Sequence, residues 1–162
     1  MRDKMKLILT LIILLMSSRA WAGPADLMPI LFGKPTHITS TFESGFDGWT
    51  TSASVTRTTD DSQPAGGYSV QIPGGSDQYI TKTFTHSEAG TITFWHDFTG
   101  NGTFIWDVTH SGGSAGNTIG GSGSWSQVTL GPFPAGTTTL QLTYEGGSGY
   151  DIEVDTIRYP AP

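Results

Sequence analysis

The sequence contains no cysteine, so no disulfide can hold the fold and no lipid-modified cysteine can anchor the chain. Basic residues are also scarce, with eight Lys and Arg against fourteen Asp and Glu. This negative balance repels a phosphate backbone and argues against a nucleic-acid partner. The histidines lack the H-x-H or H-x-x-x-H spacing of a zinc site, which argues against bound zinc. They are His37, His86, His96 and His110.

Catalytic motifs and helical periodicity are missing as well. No G-x-S-x-G elbow, phosphate-binding loop or dinucleotide fingerprint occurs in a context of strand, turn and helix. Without a substantial helix, no phosphate site can form at a helix N-terminus. The sequence therefore predicts a protein that is not an enzyme.

The N-terminus has the three parts of a secretory signal peptide. Arg2, Lys4 and Lys6 precede an apolar run over residues 7–16, and the small-x-small segment Ala20-Trp21-Ala22 follows. The run is too short to span a bilayer, which takes about 20 residues. We expect cleavage after Ala22 and export of a bacterial type, to the periplasm or the outside. Cleavage removes four basic residues and one acidic residue, which leaves 4 Lys and Arg, 13 Asp and Glu, and a net charge of −9.

Residues 23–35 form an apolar leader interrupted by Pro24, Pro29 and Pro35. Because prolines break regular structure, the leader is either a linker with one hydrophobic anchor or an arm that packs on a domain. In the second case it is a candidate surface for homo- or hetero-assembly.

Residues 36–162 alternate between β-branched or aromatic residues and polar ones, with Gly and Pro turn signals in between. The pattern predicts an all-β, two-sheet antiparallel sandwich of about nine strands. The predicted strands cover residues 37–42, 54–58, 68–72, 79–84, 91–98, 103–109, 125–130, 137–144 and 151–159. Residues 111–123, which are rich in Gly and Ser, are predicted to be a loop.

Period-two alternation assigns the residues of each strand to one of two faces. The face predicted to form the core carries Tyr68, Val70, Ile72, Ile92, Phe94, Phe104, Trp106, Val108, Leu140, Leu142 and Tyr144. The opposite face carries Thr93, Trp95, Asp97, Ile105, Asp107, Gln141 and Thr143.

Trp95, Asp97 and Asp107 are the candidate ligand-binding residues on this polar face. A large aromatic there either stacks on a sugar ring or lies under the loop at residues 111–123. If their strands are adjacent, Asp97 and Asp107 face each other, which is also the arrangement of an acid pair. The alternative is that both carboxylates serve only solubility and turn capping.

The last strand changes phase, since Ile152 and Val154 share one face but Ile157 and Tyr159 carry the opposite phase. One extra residue near Asp155, a β-bulge, brings both halves back to the core. If the first strand pairs beside the last, Glu43 and Asp155 could supply oxygens to a cation such as calcium. The alternative is that both side chains only cap turn amides.

Six segments in order resemble the galactose-binding-like and carbohydrate-binding-module β-jelly rolls, which also occur in bacterial surface proteins and adhesins. They begin at Phe42, Gly67, Ala89, Trp125, Ala135 and Val154 and read FESGFDGW, GYSV, AGTITF, WSQV, AGTTTL and VDTI. The resemblance implies a jelly roll with a structural calcium held by Glu43 and Asp155. It also implies a secreted, non-catalytic module that binds a glycan or a cell-surface ligand. The alternative function is a structural or adhesive subunit of an extracellular assembly, built through residues 23–35.

Overall fold

The computed structural model describes residues 36–59, 67–75, 78–98, 102–121, 123–147 and 149–162. The predicted signal peptide and the leader at residues 23–35 lie outside these ranges. Within them no residue is helical, and therefore no helix is long and apolar enough to cross a membrane.

The described part of the chain contains eleven strands. Nine of them match the nine predicted strands, and the two additional ones are β2 and β8. In chain order they are β1 His37–Ser40, β2 Thr50–Thr51, β3 Thr56–Thr58, β4 Ser69–Pro73, β5 Gln78–His86, β6 Gly90–Phe98, β7 Gly102–His110, β8 Gly113–Ile119, β9 Ser126–Phe133, β10 Gly136–Gly146 and β11 Asp151–Pro160.

The strands form two antiparallel sheets. The six-stranded sheet has the order β3-β4-β11-β6-β9, with β1 also paired to β11, and the five-stranded sheet has the order β2-β5-β10-β7-β8. Only β3 to β4 and β7 to β8 are consecutive strands that stay in one sheet. Every other connection between the described strands passes to the opposite sheet, which gives the jelly-roll sandwich.

The core lies between the two sheets and follows the predicted alternation. On β6, Ile92 and Phe94 are fully buried, and Phe94 packs edge-on against Phe104 of β7 across the interior. Predicted core residues that are buried also include Val70, Ile72, Val108, Leu140, Leu142 and Tyr144. Trp106 is half-buried and packs against the same core.

Tyr68 is the exception, since it was predicted to be a core residue and is 37% exposed. The strand begins one residue later, at Ser69, so the alternation that buries Val70 does not extend back to Tyr68. Its ring instead lies under the Arg57 guanidinium, 4.1 Å from the ring centroid. The prediction was wrong because the periodicity was applied beyond the end of the strand.

The prediction of a loop over residues 111–123 was also wrong. Gly113–Ile119 forms β8, which pairs with β7 along its whole length, from Gly113 opposite His110 to Ile119 opposite Phe104. Gly and Ser have low strand propensity, but pairing with a neighbouring strand overrides that local preference.

The predicted β-bulge in the last strand is confirmed. Asp155 pairs with Trp95 and Arg158 with Thr93, so two residues, Thr156 and Ile157, lie opposite Phe94 alone. Thr156 has a φ of 48°, the left-handed conformation that a bulge permits. As a result the residues on both sides of the bulge are buried, including Ile152, Val154, Ile157 and Tyr159.

Candidate functional site

The outer face of the five-stranded sheet places polar and aromatic side chains side by side. On its central strand, β10, Gln141 lies opposite Thr81 of β5 and Asp107 of β7. One register step along, Thr143 lies opposite Tyr79 and Ile105. We call these six residues the Asp107 face: Tyr79, Thr81, Ile105, Asp107, Gln141 and Thr143.

The hydrogen bonds on the Asp107 face leave the Asp107 carboxylate at the surface. Gln141 Nε2 donates to Thr143 Oγ1 at 3.1 Å, and Thr81 Oγ1 donates to the Leu140 carbonyl at 3.0 Å. These contacts orient the amide and the hydroxyl against the sheet, while Asp107 remains exposed. A carboxylate next to an oriented amide, with a tyrosine ring on the same face, can contact both the hydroxyl groups and the ring face of an oligosaccharide.

Beyond Gln141 the same sheet carries a ladder of threonine hydroxyls. Thr83 and Thr139 lie 2.8 Å apart at their Oγ1 atoms, and Thr85 and Thr137 lie 3.4 Å apart. The ladder extends the polar surface along β5 and β10 without adding a charge.

Trp95 and Asp97 lie on the outer face of the six-stranded sheet. Trp95 is half-buried and is paired with Gln127 of β9 and Asp155 of β11, and Asp97 is paired with Glu153. We call the outer-face residues Trp95, Asp97, Gln127 and Glu153 the Trp95 face.

The structure contradicts the expectation that Asp97 and Asp107 face each other across adjacent strands. Asp97 is on β6 and Asp107 on β7, and these strands belong to different sheets. Both side chains point away from the core, so they lie on opposite sides of the sandwich. The three predicted ligand residues therefore belong to two separate faces, and Asp97 and Asp107 cannot act as an acid pair.

Tyr79 was missed as a candidate by the sequence reasoning, although the alternation contains it. Ile80 is fully buried, so the preceding residue on β5 must face outward. Gln141 and Thr143 were assigned to the same face as Asp107, and the structure brings these three together. Only the pairing of β5 beside β10 shows that Tyr79 joins them.

Glu43 and Asp155, the predicted cation ligands, both lie at one break along β11. Strands β4 and β1 pair with the same edge of β11. The pairing with β4 ends at Val154, and the pairing with β1 begins at Ile157. Asp155, in the gap, is 2% exposed, and its Oδ1 accepts a hydrogen bond from the Thr156 N–H. Glu43 Oε1 accepts one from the Tyr68 N–H at 3.0 Å, just before β4 begins.

The backbone at this break is irregular and presents carbonyl oxygens. Phe42 and Asp47 have φ values of 60° and 49°. The carbonyl of Glu43 accepts from Arg57 Nη2 at 2.7 Å, and the carbonyl of Asp47 accepts from Lys82 Nζ. Two positively charged side chains thus already contact this loop. In the described part of the chain no three His, Cys, Asp or Glu residues are grouped to hold a metal.

Lys82 joins the two sheets at this end of the sandwich. It extends from β5, and its ammonium lies 5.8 Å from the ring centroid of Trp49 and 5.3 Å from that of Tyr159 in β11. Cation–π contacts of this kind stabilise a charge that is partly removed from water. Lys82 therefore ties the loop after β1 to the facing sheet.

His96 is an ionisable side chain inside the core. It is 2% exposed, its ring lies 5.6 Å from that of Phe104, and its Nδ1 has no hydrogen-bond partner among the described residues. Burial lowers the pKa of His96 from its usual value of 6.5, because the cationic form loses its hydration. His86 is also buried, but its ring nitrogens contact Glu88 O and Thr138 Oγ1.

We expect His96 to make the fold less stable in mild acid. Unfolded chains take up this proton near pH 6.5, whereas the folded chain takes it up only at lower pH. Its contribution to stability is therefore complete above that value and is lost as the pH falls from there toward the folded pKa. Urea unfolding at about pH 7 and about pH 5 should show a smaller loss in His96→Leu than in the parent. If the parent and His96→Leu lose the same amount of stability between the two pH values, the assignment is wrong. His37→Leu is the control for replacing a histidine nearer the surface.

Comparison with solved structures places the fold among carbohydrate-binding modules. TmCBM61, solved in complex with β-1,4-galactotriose, superimposes with a TM-score of 0.59 at 17% identity, over 74% of this chain and 94% of that one. The CBM22-1 xylan-binding domain of Paenibacillus barcinonensis Xyn10C gives 0.53 at 15% identity, over 77% and 94%. The K1 cleaved adhesin domain of Lys-gingipain from Porphyromonas gingivalis gives 0.56 at 14% identity, over 79% and 99%.

These similarities define the class of fold. The chain has a β-jelly-roll fold similar to that of these carbohydrate-binding modules and of the adhesin domain, as its sequence segments indicated. No protein-family model matches the sequence, and no curated protein is a significant match to it. The structural neighbours also include modules that are parts of enzymes.

Proposed function

We propose that this domain is a secreted, non-catalytic module that binds glycan through the Asp107 face. The observation that carries the proposal is the register of β5, β10 and β7, which sets Asp107 beside Gln141, with Tyr79 on the same face one register step from Gln141. Sugar sites combine an apolar or aromatic platform with a few fixed polar groups, and this face supplies both. The fold shared with galactotriose- and xylan-binding modules supports a glycan as the ligand class.

The Trp95 face is the alternative location of the glycan site. It has the larger aromatic, but the neighbours of Trp95, Asp97 and Glu153, are two carboxylates directly opposite each other. Glu153 Oε2 already accepts a hydrogen bond from Ser69 Oγ at 2.8 Å. A neutral sugar gains less from a pair of adjacent negative charges than from the carboxylate and amide on the Asp107 face.

A matched pair of substitutions distinguishes the two faces. Asp107→Asn and Asp97→Asn make the same chemical change on opposite sides of the sandwich. We expect Asp107→Asn to weaken binding of galacto- or xylo-oligosaccharides about tenfold, since a charge-assisted hydrogen bond contributes about 1.5–3 kcal/mol. Asp97→Asn should leave binding unchanged, as measured by isothermal titration calorimetry.

Other outcomes of this titration are equally informative. Loss of affinity in Asp97→Asn alone would move the site to the Trp95 face. If the parent binds no oligosaccharide or polysaccharide in a broad glycan screen, the glycan function itself is wrong.

We also propose that a structural calcium lies at the break along β11, with Glu43 and Asp155 as its side-chain ligands. Support comes from their placement at the same break along β11. A calcium ion there would supply charge to a buried carboxylate and stabilise the junction of the first and last strands. Its role is structural, since the break lies on the sheet opposite the Asp107 face.

A second candidate function is a structural or adhesive subunit of an extracellular assembly. The fold shared with the gingipain adhesin domain supports this class. The predicted assembly segment, residues 23–35, lies outside the described residues. Measurements of molecular size with and without this segment distinguish an assembly subunit from a monomeric binding module.

A further inference from the structure

The edges of the two sheets differ in how well they are protected against pairing with another chain. The edge strands are β2, β3 and β1, which have two, three and four residues, and the longer strands β8 and β9. Strand β9 contains Pro132, which has no backbone N–H to donate. Short strands and prolines are common protections of a sheet edge.

Strand β8 has none of these protections. Its seven residues, GSAGNTI, include no proline and no charged side chain. Pairing with β7 without a register shift holds it extended, and its first six residues are exposed. Within the described residues it pairs with no second strand, and on it the Thr118 N–H donates to the Asn117 side chain at 2.8 Å. Such a strand is a template for strand addition.

We propose that β8 pairs antiparallel with β8 of a second copy of this chain, about a two-fold axis through Gly116. In this register Ser114 lies opposite Thr118 of the second copy, and Ala115 opposite its Asn117. A two-fold axis makes the interface self-complementary, and pairing covers both unprotected edges at once. No residue of β8 itself is charged, but the Asp107 carboxylate lies over Gly116 beside the axis, so pairing requires the two Asp107 side chains to turn away from each other.

Pairing through β8 would join the two five-stranded sheets into one continuous sheet. Asp107 lies opposite Gly116 within each copy, so the two Asp107 Cα atoms would be three strand spacings apart, about 14 Å, and their carboxylates would be closer because each lies over Gly116. The outer faces of both sheets would then form one surface. This inference goes beyond the proposed glycan function and does not depend on it.

The absence of cysteine gives a direct test of the register. Ser114→Cys and Thr118→Cys are prepared separately and then mixed under mild oxidation. Opposite Cβ atoms in a paired sheet lie about 4.5–5.5 Å apart, close to disulfide distance. We expect the mixture to give a disulfide-linked heterodimer. Each variant alone should give little product, because the same position in the two copies is separated by about four residues along the strand direction. Equal cross-linking in all three samples would overturn the register.

The size of the exported chain tests the interface itself. Sedimentation velocity should show a concentration-dependent dimer for the parent. Ala115→Lys combined with Asn117→Lys sets lysines opposite each other across the axis and should raise the dimer Kd about tenfold or more. Thr129→Lys, on the edge strand of the other sheet, should leave the dimer unchanged. Circular dichroism of each variant verifies that the fold is retained.

Three results would contradict pairing through β8. The parent could remain a monomer at the highest concentration reached, or Thr129→Lys could disrupt the dimer as strongly as the β8 lysines. In the third case, deletion of residues 23–35 would abolish the dimer while the β8 lysines leave it intact. That outcome would assign assembly to the leader instead.

Discussion

Replacing Phe94 with alanine is expected to destabilise the domain by about 3–5 kcal/mol, the largest effect of any single change considered for this chain. Phe94 is fully buried on a strand with neighbours on both sides, and its ring meets that of Phe104 edge-on, with centroids 6.1 Å apart. Truncation removes this contact and leaves a cavity between the two sheets that neither can collapse to fill. Chemical denaturation with tryptophan fluorescence measures the change in the free energy of unfolding.

Thr93→Ala is the matched control for Phe94→Ala. It alters the preceding residue on β6, which points to the outer face and lies opposite Thr129. Changes at such positions usually stay within about 0.5 kcal/mol. If the two variants lose similar stability, the assignment of faces along β6 is wrong.

Calcium is expected to raise the unfolding midpoint of the parent by several degrees and to have no effect on Glu43→Gln. A ligand that binds only the folded state at about 100 times its Kd contributes about 2.7 kcal/mol. Glu43→Gln keeps an oxygen that can accept the Tyr68 N–H hydrogen bond but removes the charge that a divalent cation requires. Thermal unfolding with calcium and with chelator measures the difference.

Two further variants make the calcium experiment specific. Glu145→Gln changes an exposed carboxylate on β10, away from the break along β11, and should keep the full calcium response. Asp155→Asn should lose the response, although this buried change also affects stability without calcium. If the parent does not respond to calcium, Glu43 and Asp155 act as turn caps, as their hydrogen bonds to Tyr68 and Thr156 allow.

The sequence allowed the strand phases to be predicted because burial imposes period two on each strand separately. Ile92 and Phe94, or Leu140 and Leu142, show their inward face without any knowledge of their neighbours. The bulge in β11 followed from the same rule, since Val154 and Ile157 cannot both be buried on a regular strand. Features that depend on one strand alone were therefore predictable.

The candidate site could not be predicted in the same way, because alternation does not say to which sheet a strand belongs. Consecutive strands are neighbours in about two-thirds of cases, and the pairing of Asp97 with Asp107 assumed that pattern. Here β6 and β7 cross between the sheets, so the two carboxylates are separated. Only long-range pairing fixes such an arrangement.

The local sequence misled the prediction at two places, once through its periodicity and once through its composition. Tyr68 continues the alternation of Val70 but precedes the strand. Its ring therefore packs against the Arg57 guanidinium and not in the core. Residues 113–119 have the small polar composition of a loop, yet β7 supplies a complete ladder of pairing partners. Strand formation at an edge depends on the neighbouring strand more than on the sequence of the edge itself.

The most direct test of the glycan proposal is a nuclear magnetic resonance titration of the isotope-labelled domain with β-1,4-galactotriose and with xylohexaose. The Asp107 face predicts shift changes in the amides of β5, β7 and β10, centred on Thr81, Asp107 and Gln141. Shifts confined to β6 and β9 around Trp95 would place the site on the opposite sheet. If neither sugar shifts any amide, and a wider glycan screen is also negative, the domain does not bind glycan and the proposed function is wrong.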